Sequence, residues 1–366
     1  MANKTERSAN NQTKGLFRGI TYSGIVALVC VLGIWLAKDN IALFLFQQNI
    51  EKLVGWDLRD DLEEGLHVAF CGTGSPLPDP GRGGACTAVI AGKQVFLFDA
   101  GEGSAESLAL MGILPSDVEK VFLTHFHSDH INGLGALALQ HVFRGGVSTP
   151  LPVYGGPGIE RVIAGFNEAY AMDHIYRVRH HGTEVAPAAG FELLAMPIET
   201  PTVGNVLVLD SEGVTIEAFR VNHISVEPAY GYRVNYAGRS VVISGDTAYS
   251  ANLAVAAKGA DLLVHEALAP ALVSLLESTS IRHNRTGLAT VMRDIPEYHA
   301  SPADAARTAT QAGVTALALT HLIPGLPGTF FDDLFLEGAE DSFDGPLWIM
   351  RDGDVISLPS AGGIHF

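Results

Sequence analysis

The sequence predicts a layered α/β sandwich. From residue 66 onward, short β-rich runs alternate with segments of helical periodicity. The strands fall into two groups, each followed by helices, which is the pattern of packed sheets covered by helices. Hydrophobic residues make up 47% of the 366 residues and charged residues 17%. This composition supplies a large core and excludes a disordered chain, a coiled coil and a collagen.

The individual elements are short apolar runs bounded by glycine, proline or acidic residues. In the first half, strands are expected at 67–71, 86–91, 94–99, 120–124 and 152–154, and helices at 102–111, 131–142 and 159–170. In the second half, strands are expected at 215–222, 230–236, 240–244, 262–266 and 316–320, and a helix at 303–312. Segments 347–351 and 354–358 flank Asp352-Gly353, which predicts a β-hairpin.

The N-terminal region carries a separate signal. Residues 20–37 are uncharged and reach the length of a bilayer-spanning helix, and four basic residues precede them: Lys4, Arg7, Lys14 and Arg18. Because positive flanks stay in the cytoplasm, we expect a cytoplasmic tail at 1–19, a single transmembrane anchor at 20–37, an amphipathic linker at 38–64 and the main domain at 65–366. That domain would lie on the periplasmic or extracytoplasmic side of the inner membrane. A cleaved signal peptide and a buried soluble helix are the alternatives.

Net charge and cysteine content exclude some classes of binding partner and of structural site. The formal charge is −17, and residues 57–366 alone carry −20. Phosphate binding depends on clustered Lys and Arg, so we expect no nucleic-acid partner. The three cysteines are too few for a disulfide scaffold and include no CxxC zinc motif. Whether Cys71 and Cys86 pair is left open.

The segment 124–133, THFHSDHING, is the sharpest chemical signal. His125 and His127 alternate along an extended segment that leaves a strand, and Asp129 and His130 follow where the chain turns into a helix. Imidazole nitrogens and carboxylate oxygens at this density suit a divalent metal ion. An accidental cluster of polar loop residues is the competing interpretation.

This motif resembles the second motif of the metallo-β-lactamase superfamily, whose fold is a four-layer αβ/βα sandwich. Other segments resemble the remaining motifs in order: FDAG at 98–101, NH at 222–223, SGDT at 244–247 and TH at 320–321. The resemblance implies two divalent metal ions, zinc by default. It implies these ligands: His125, His127, His223 and Asp246 for one ion, and Asp129, His130, Asp246 and His321 for the other. Asp99 would steady the metal loop. Spacing alone does not favour His223 over His174 or His181.

Two further segments resemble the ribonuclease Z and arylsulfatase branch of that superfamily. They are GTGSPLPDPGR at 72–82 and YHASPADA at 298–305, and His265-Glu266 also fits. The resemblance implies a hydrolase in which a metal-bound hydroxide attacks an ester. Asp129 would orient the hydroxide or take its proton, and His299 would serve the leaving oxygen as a proton donor or charge stabiliser. His265 and Glu266 would support the metal site.

The substrate expectation rests on what the sequence lacks. Members of the branch that process tRNA carry a long arm between the third motif and the bridging aspartate, whereas only 22 residues separate His223 from Asp246. We therefore expect an arylsulfatase or phosphodiesterase acting on a small sulfate or phosphate ester. The alternatives are a ribonuclease Z-type tRNA 3′ endonuclease, a lactonase or β-lactamase, and a non-enzymatic binding module. A homodimer is left open. Four side chains are candidates for contact with the anionic substrate: Arg177, His181, Arg282 and Arg285.

Overall fold

The computed structural model describes residues 30–366 except 52, 146 and 202. The predicted tail at 1–19 and residues 20–29 of the predicted anchor lie outside the described residues. The chain divides into two compact units, of which the second is Asp57–Phe366. In the first unit, helix α1 (Cys30–Gly55) has a mean hydropathy of 1.4 and no buried residues in its most apolar window. It continues to Gly55 through residues that the sequence predicts as a linker.

The second unit is built on two mixed β-sheets. Its described strands are β1 (Gly65–Gly72), β2 (Cys86–Ala91), β3 (Gln94–Phe98), β4 (Val118–Phe122), β5 (Leu151–Gly155), β6 (Leu193–Pro197), β7 (Asn205–Ser211), β8 (Val214–Arg220), β9 (Tyr230–Tyr236), β10 (Arg239–Ile243), β11 (Leu262–Leu268), β12 (Ala316–Ile323), β13 (Leu347–Ile349) and β14 (Val355–Pro359). One sheet has the order β14-β1-β2-β3-β4-β5-β6, and the other has the order β13-β12-β11-β10-β9-β8-β7.

Helices cover the outer faces of both sheets. The described α-helices of this unit are α2 (Ser104–Leu110), α3 (Ser128–Ile131), α4 (Leu134–Gly145), α5 (Ile159–His181), α6 (Ala251–Ala256), α7 (Pro270–Arg282), α8 (Thr286–Asp294), α9 (Pro302–Ala312) and α10 (Asp332–Phe335). Side chains of α2, α4 and α5 pack against the first sheet, and those of α6 and α9 against the second. The α/β prediction is therefore confirmed.

The central core lies between the two sheets. Phe98 and Phe122 of the first sheet stack at 5.2 Å, and Phe98 contacts Tyr232 of the second sheet at 5.3 Å. The hydroxyl of Tyr232 donates to the carbonyl of Leu123 at 2.6 Å, which satisfies a polar group that is fully buried. Because both faces of each sheet are covered, every residue of β1 and β11 is buried.

The predicted hairpin at 347–358 is wrong. β13 pairs in parallel with β12, whereas β14 pairs antiparallel with β1, so the chain crosses from one sheet to the other at Asp352-Gly353. The Asp352 carboxylate accepts hydrogen bonds from the backbone N–H groups of Thr73 and Gly83. These contacts, made to residues more than 260 positions earlier, replace the local pairing that the turn signal favours.

Helical structure also extends beyond the predicted ranges. α5 continues to His181 instead of ending near residue 170, and α7, α8, β6 and β7 were not predicted. Contacts distant in sequence support the two helices: Val273 of α7 and Met292 of α8 pack with Leu268 and Ile323 of the second sheet.

Candidate metal centre

The candidate site is built at the carboxyl ends of parallel strands. β3 and β4 run parallel in one sheet, and β10, β11 and β12 run parallel in the other. Loops that follow these strands carry the conspicuous polar side chains, as in other open α/β sheets. The two sets of loops meet at one edge of the sandwich.

Asp99 organises the loop after β4. Its carboxylate accepts from the backbone N–H of Thr124 at 2.8 Å, from the Thr124 hydroxyl at 2.8 Å and from Nδ1–H of His130 at 2.8 Å. The residue has a φ of +60°, a left-handed conformation that non-glycine residues adopt rarely. One buried carboxylate thus fixes both ends of the His-rich motif.

The first group of ligand-competent side chains combines residues from distant segments. One ligand atom from each of four residues lies within 4.8 Å of the others: His125, His127, His223 and Asp246. The rings of His125 and His127 are 4.6 Å apart, and those of His125 and His223 are 4.9 Å apart. His127 is the exposed member, so this group opens to solvent on one side.

The second group lies next to the first, and Asp246 is close to members of both groups. Asp129, His130 and His321 place one ligand atom each within 4.8 Å of one another. Oδ2 of Asp246 is 3.3 Å from Nε2 of His130, 3.5 Å from Nε2 of His321 and 3.9 Å from Nε2 of His125. A single carboxylate oxygen therefore lies between imidazoles of both groups.

The imidazole tautomers fit metal binding. The Thr124 hydroxyl donates to Asp99 and so accepts from Nδ1–H of His125 at 3.0 Å, while Nδ1–H of His223 donates to the Tyr298 carbonyl at 3.0 Å. The buried Nε2 atom of His125 has no hydrogen-bond partner among the described residues, and Nε2 of His130 faces the Asp246 carboxylate at 3.3 Å. Lone pairs held free in this way are what divalent cations bind. The donor set fits metal ions.

Electrostatics favour positive charge at this centre. Burial acts to raise the pKa of Asp246, but the charges of His321 and His130 hold it well below its usual range. Burial acts to lower the pKa of His130, yet Asp246 and Asp99 raise it well above the usual value. Burial together with His130 lowers the pKa of His125, which keeps that ring neutral. The buried carboxylates that favour a proton here would also favour a cation.

Glu266 positions His299 beside the centre. One oxygen of Glu266 accepts from Nδ1–H of His299 at 2.9 Å and from the backbone N–H groups of Thr247 at 3.0 Å and Ala300 at 3.2 Å. Burial lowers the pKa of His299, but Glu266 outweighs this effect and raises the pKa to about 9. His299 also groups with Asp246 and His321 within 4.8 Å. The neighbouring His265 is fully buried, and its Nδ1–H donates to the Glu266 carbonyl.

The four cationic candidates for substrate contact lie on or beside helices α5, α7 and α8. Arg177 pairs with Asp173 at 2.7 Å on α5, the helix that ends at His181. Arg282 ends α7 and Arg285 precedes α8. None of the four is among the residues that line the described cavities at the site.

Three of the described cavities border the centre: a small one of about 30 Å³ lined in part by residues of the centre itself, and two larger ones. A groove of about 530 Å³ runs from Asp129 past Arg82 and Glu102, and an apolar pocket of about 130 Å³ is bounded by Ser75, Met292 and other residues. The unusual loop at 72–82 could have pointed to Ser75, but nothing in the sequence of α8 marks Met292 as a site residue.

Comparison with known proteins places the chain in a family. The sequence model of the metallo-beta-lactamase superfamily matches residues 79–321. The chain belongs to the metallo-beta-lactamase superfamily. Ribonuclease Z of Mycobacterium avium (strain 104) is 37% identical over 267 residues, which cover 71% of this chain and 87% of that protein. Ribonuclease Z of Mycobacterium bovis (strain BCG / Pasteur 1173P2) is 37% identical, and the alignment covers 72% of this chain and 88% of that protein.

Solved structures of superfamily members show the same fold. The short form of human tRNase Z has a TM-score of 0.56 at 24% identity and covers 80% of this chain and 99% of its own. The metallo-beta-lactamase fold protein YhfI from Bacillus subtilis has a TM-score of 0.56 at 21% identity, and the match covers 79% of this chain and 98% of YhfI. At such low identity these likenesses concern the fold alone.

The ribonuclease Z relatives contradict two expectations drawn from the sequence. The arylsulfatase-type function on a small ester and the exclusion of a nucleic-acid partner are wrong, because relatives covered over most of their length are named ribonuclease Z. The segment between His223 and Asp246 is indeed short: it forms a loop at 224–229, then β9, a turn at 237–238 and β10. The absence of a long arm between these two residues does not change the clusters of metal-binding side chains that the structure brings together. Net charge summed over the whole surface is also a poor guide to a local site, since charges beyond a Debye length are screened.

Proposed function

We propose that this superfamily member is a metal-dependent phosphodiesterase of the ribonuclease Z type that cleaves RNA. The observation that carries the proposal is the 37% identity across 87% of a ribonuclease Z, combined with two adjoining clusters able to bind metal ions. Two divalent cations, with zinc as the first candidate, would be held by the seven residues of those clusters. When bound, the cations would supply the Lewis acidity that activates water and neutralises charge on the phosphate.

The protein's own residues would position the reacting groups. Asp129 borders both the groove and the pocket, so its carboxylate can orient the attacking water and accept its proton. His299 is held through Nδ1 by Glu266, which leaves Nε2 to donate a proton to the leaving ribose oxygen. The cluster is buried on most sides, which excludes bulk water from the charged phosphate.

The test compares RNA with other esters. Full-length protein loaded with zinc or manganese is incubated with an RNA that carries a 3′ extension, with the same sequence as DNA, and with p-nitrophenyl sulfate. We expect RNA cleavage with a terminus that mass spectrometry can define, and loss of cleavage in His127→Ala. Leu207→Ala, an exposed change on β7, is the control. Hydrolysis of the sulfate ester without RNA cleavage would overturn the proposal.

We further propose that α1 and the apolar residues before it anchor the protein in the inner membrane with the hydrolase outside the cytoplasm. The exposed apolar helix and the basic residues at the N-terminus support this orientation. The Cys71–Cys86 disulfide also supports it, because disulfides persist in oxidising compartments. The substrate would then be RNA that reaches the outer face.

Protease treatment of intact protoplasts tests the orientation. Degradation of the second unit in intact cells, together with thiol alkylation at Cys71 and Cys86 only after reduction, is the expected result. A domain that is protected until the cells are lysed, with both thiols already free, would contradict it.

A further inference from the structure

An apolar pocket opens directly beside the clustered metal-binding residues. Its volume is about 130 Å³, and its polar end is formed by residues of the centre, including His127, Asp129 and His299. The remaining walls come from the loop after β1, from α8 with the turn that follows it, and from the end of β12. They include Leu77, Val291, Met292, Ile295, Tyr298 and Ile323. A substrate group that fills this pocket would therefore lie next to the bond that is cleaved at the centre.

One wall carries a polar atom with no partner. Ser75 is 9% exposed, and its hydroxyl oxygen makes no hydrogen bond within the described part of the chain. Leaving a buried hydroxyl unpaired is unfavourable. The same residue lines both the pocket and the groove, so the hydroxyl is placed to bond a ligand. It can donate and accept.

The residues that line the pocket indicate which chemical group of a substrate it can bind. No Lys or Arg is among the described lining residues, so a second phosphate is a poor occupant. A ribose would bury several hydroxyls against apolar walls and leave them unpaired. A nucleobase has apolar faces for Leu77 and Met292, an aromatic neighbour in Tyr298, and a polar edge for Ser75.

We propose that this pocket binds the nucleobase of the nucleotide whose ribose oxygen leaves when the phosphodiester is cleaved. The inference rests on the proposed function and specifies its substrate. His299, which would serve the leaving oxygen, forms part of the pocket, and this fixes the side of the scissile phosphate. Recognition of one unstacked base is a common way to read single-stranded RNA.

The experiment uses RNA in which one nucleotide beside the cleavage site is abasic. Three substrates are compared with the metal-loaded full chain: intact RNA, RNA abasic on the leaving side, and RNA abasic on the other side. We expect kcat/KM to fall about tenfold for the first abasic substrate, as for loss of one stacked base, and to change little for the second. Product analysis identifies the leaving nucleotide.

Variants then assign the effect to the pocket. Val291 is 48% exposed at its rim, and Val291→Trp should reduce the preference for intact over leaving-side abasic RNA to near one. Ser75→Ala should lower the preference about threefold, the order expected for one hydrogen bond. Leu288→Trp is the matched control on the same helix; Leu288 is 43% exposed and is not a lining residue, so it should retain the preference.

The outcomes separate the two proposals. If intact RNA is not cleaved, the proposed function fails. If intact and abasic RNA are cleaved equally, or if Val291→Trp and Leu288→Trp behave alike, the pocket assignment fails while the proposed function stands. Greater sensitivity to the base on the other side of the phosphate also overturns the assignment.

Discussion

Asp352 offers a direct measure of how firmly the crossover between the two sheets is tied to the site loops. One oxygen of its carboxylate accepts from the backbone N–H of Thr73 at 2.9 Å and from the Thr73 hydroxyl at 2.7 Å. The other accepts from the backbone N–H of Gly83 at 2.6 Å. Thr73 is fully buried. Asp352→Ala leaves two N–H groups unpaired, at about 2 kcal/mol each, so the free energy of unfolding should fall by about 4 kcal/mol.

Asp352→Asn should have about half that effect. The amide oxygen can still accept from Thr73, but the NH₂ group then faces the N–H of Gly83, so one donor loses its acceptor. The loss is about 2 kcal/mol.

Thermal unfolding of the full chain, followed by circular dichroism, measures both changes. At roughly 2 °C per kcal/mol for a domain of this size, we expect Tm to fall about 8 °C for Asp352→Ala and about 4 °C for Asp352→Asn. Asp341→Ala removes an exposed carboxylate from the same unit and should shift Tm by about 1 °C at most. An Asp352→Ala protein with the same Tm as the wild type would refute this account of the crossover.

The remaining predictions concern the metal centre and pH. Asp99→Asn should weaken metal affinity about tenfold or more, because the carboxylate fixes Thr124 and His130; calorimetric titration with zinc measures it. Exhaustive chelation should abolish RNA cleavage, and added zinc or manganese should restore it; activity that survives chelation argues against a metal hydrolase. His299→Ala should lower kcat while metal content, measured by mass spectrometry, stays at the wild-type level, and metal loss would make it a ligand. Burial lowers the pKa of His141, so the unfolded chain takes up the proton more readily. The stability due to this residue is therefore present above about pH 6.5 and is lost as pH falls. His141→Gln should reduce the difference in Tm between pH 7 and pH 5, and an unchanged difference counts against this reasoning.

Local information was enough for part of the centre. Residues 124–133 contain four potential ligands within one loop, and their chemistry can be inferred without knowing the fold. His223 and His321 lie far along the chain, and only a family resemblance indicated them. The structure brings both within reach of Asp246 or His127. His174 and His181, which spacing alone could not reject, lie on α5 instead.

Functional class was harder to predict because it depends on small regions of surface. The net charge of −17 describes the average surface, whereas the groove beside Asp129 is shaped by a few side chains, among them Arg82. Arg82 is held by the carbonyl of Met350 and the hydroxyl of Thr73. Such an arrangement depends on contacts between the two ends of the domain and leaves no trace in composition.

The disulfide shows the same dependence on long-range geometry. β1 and β2 pair antiparallel, with Phe70 opposite Thr87 and Gly72 opposite Cys86. The register therefore shifts by one residue at Cys71, which is the extra residue of a bulge. In this register the Cα atoms of Cys71 and Cys86 are 5.0 Å apart, within bonding reach of their sulfur atoms. Sequence separation alone cannot reveal a bulge, so the pairing could not be predicted before the register of the two strands was known.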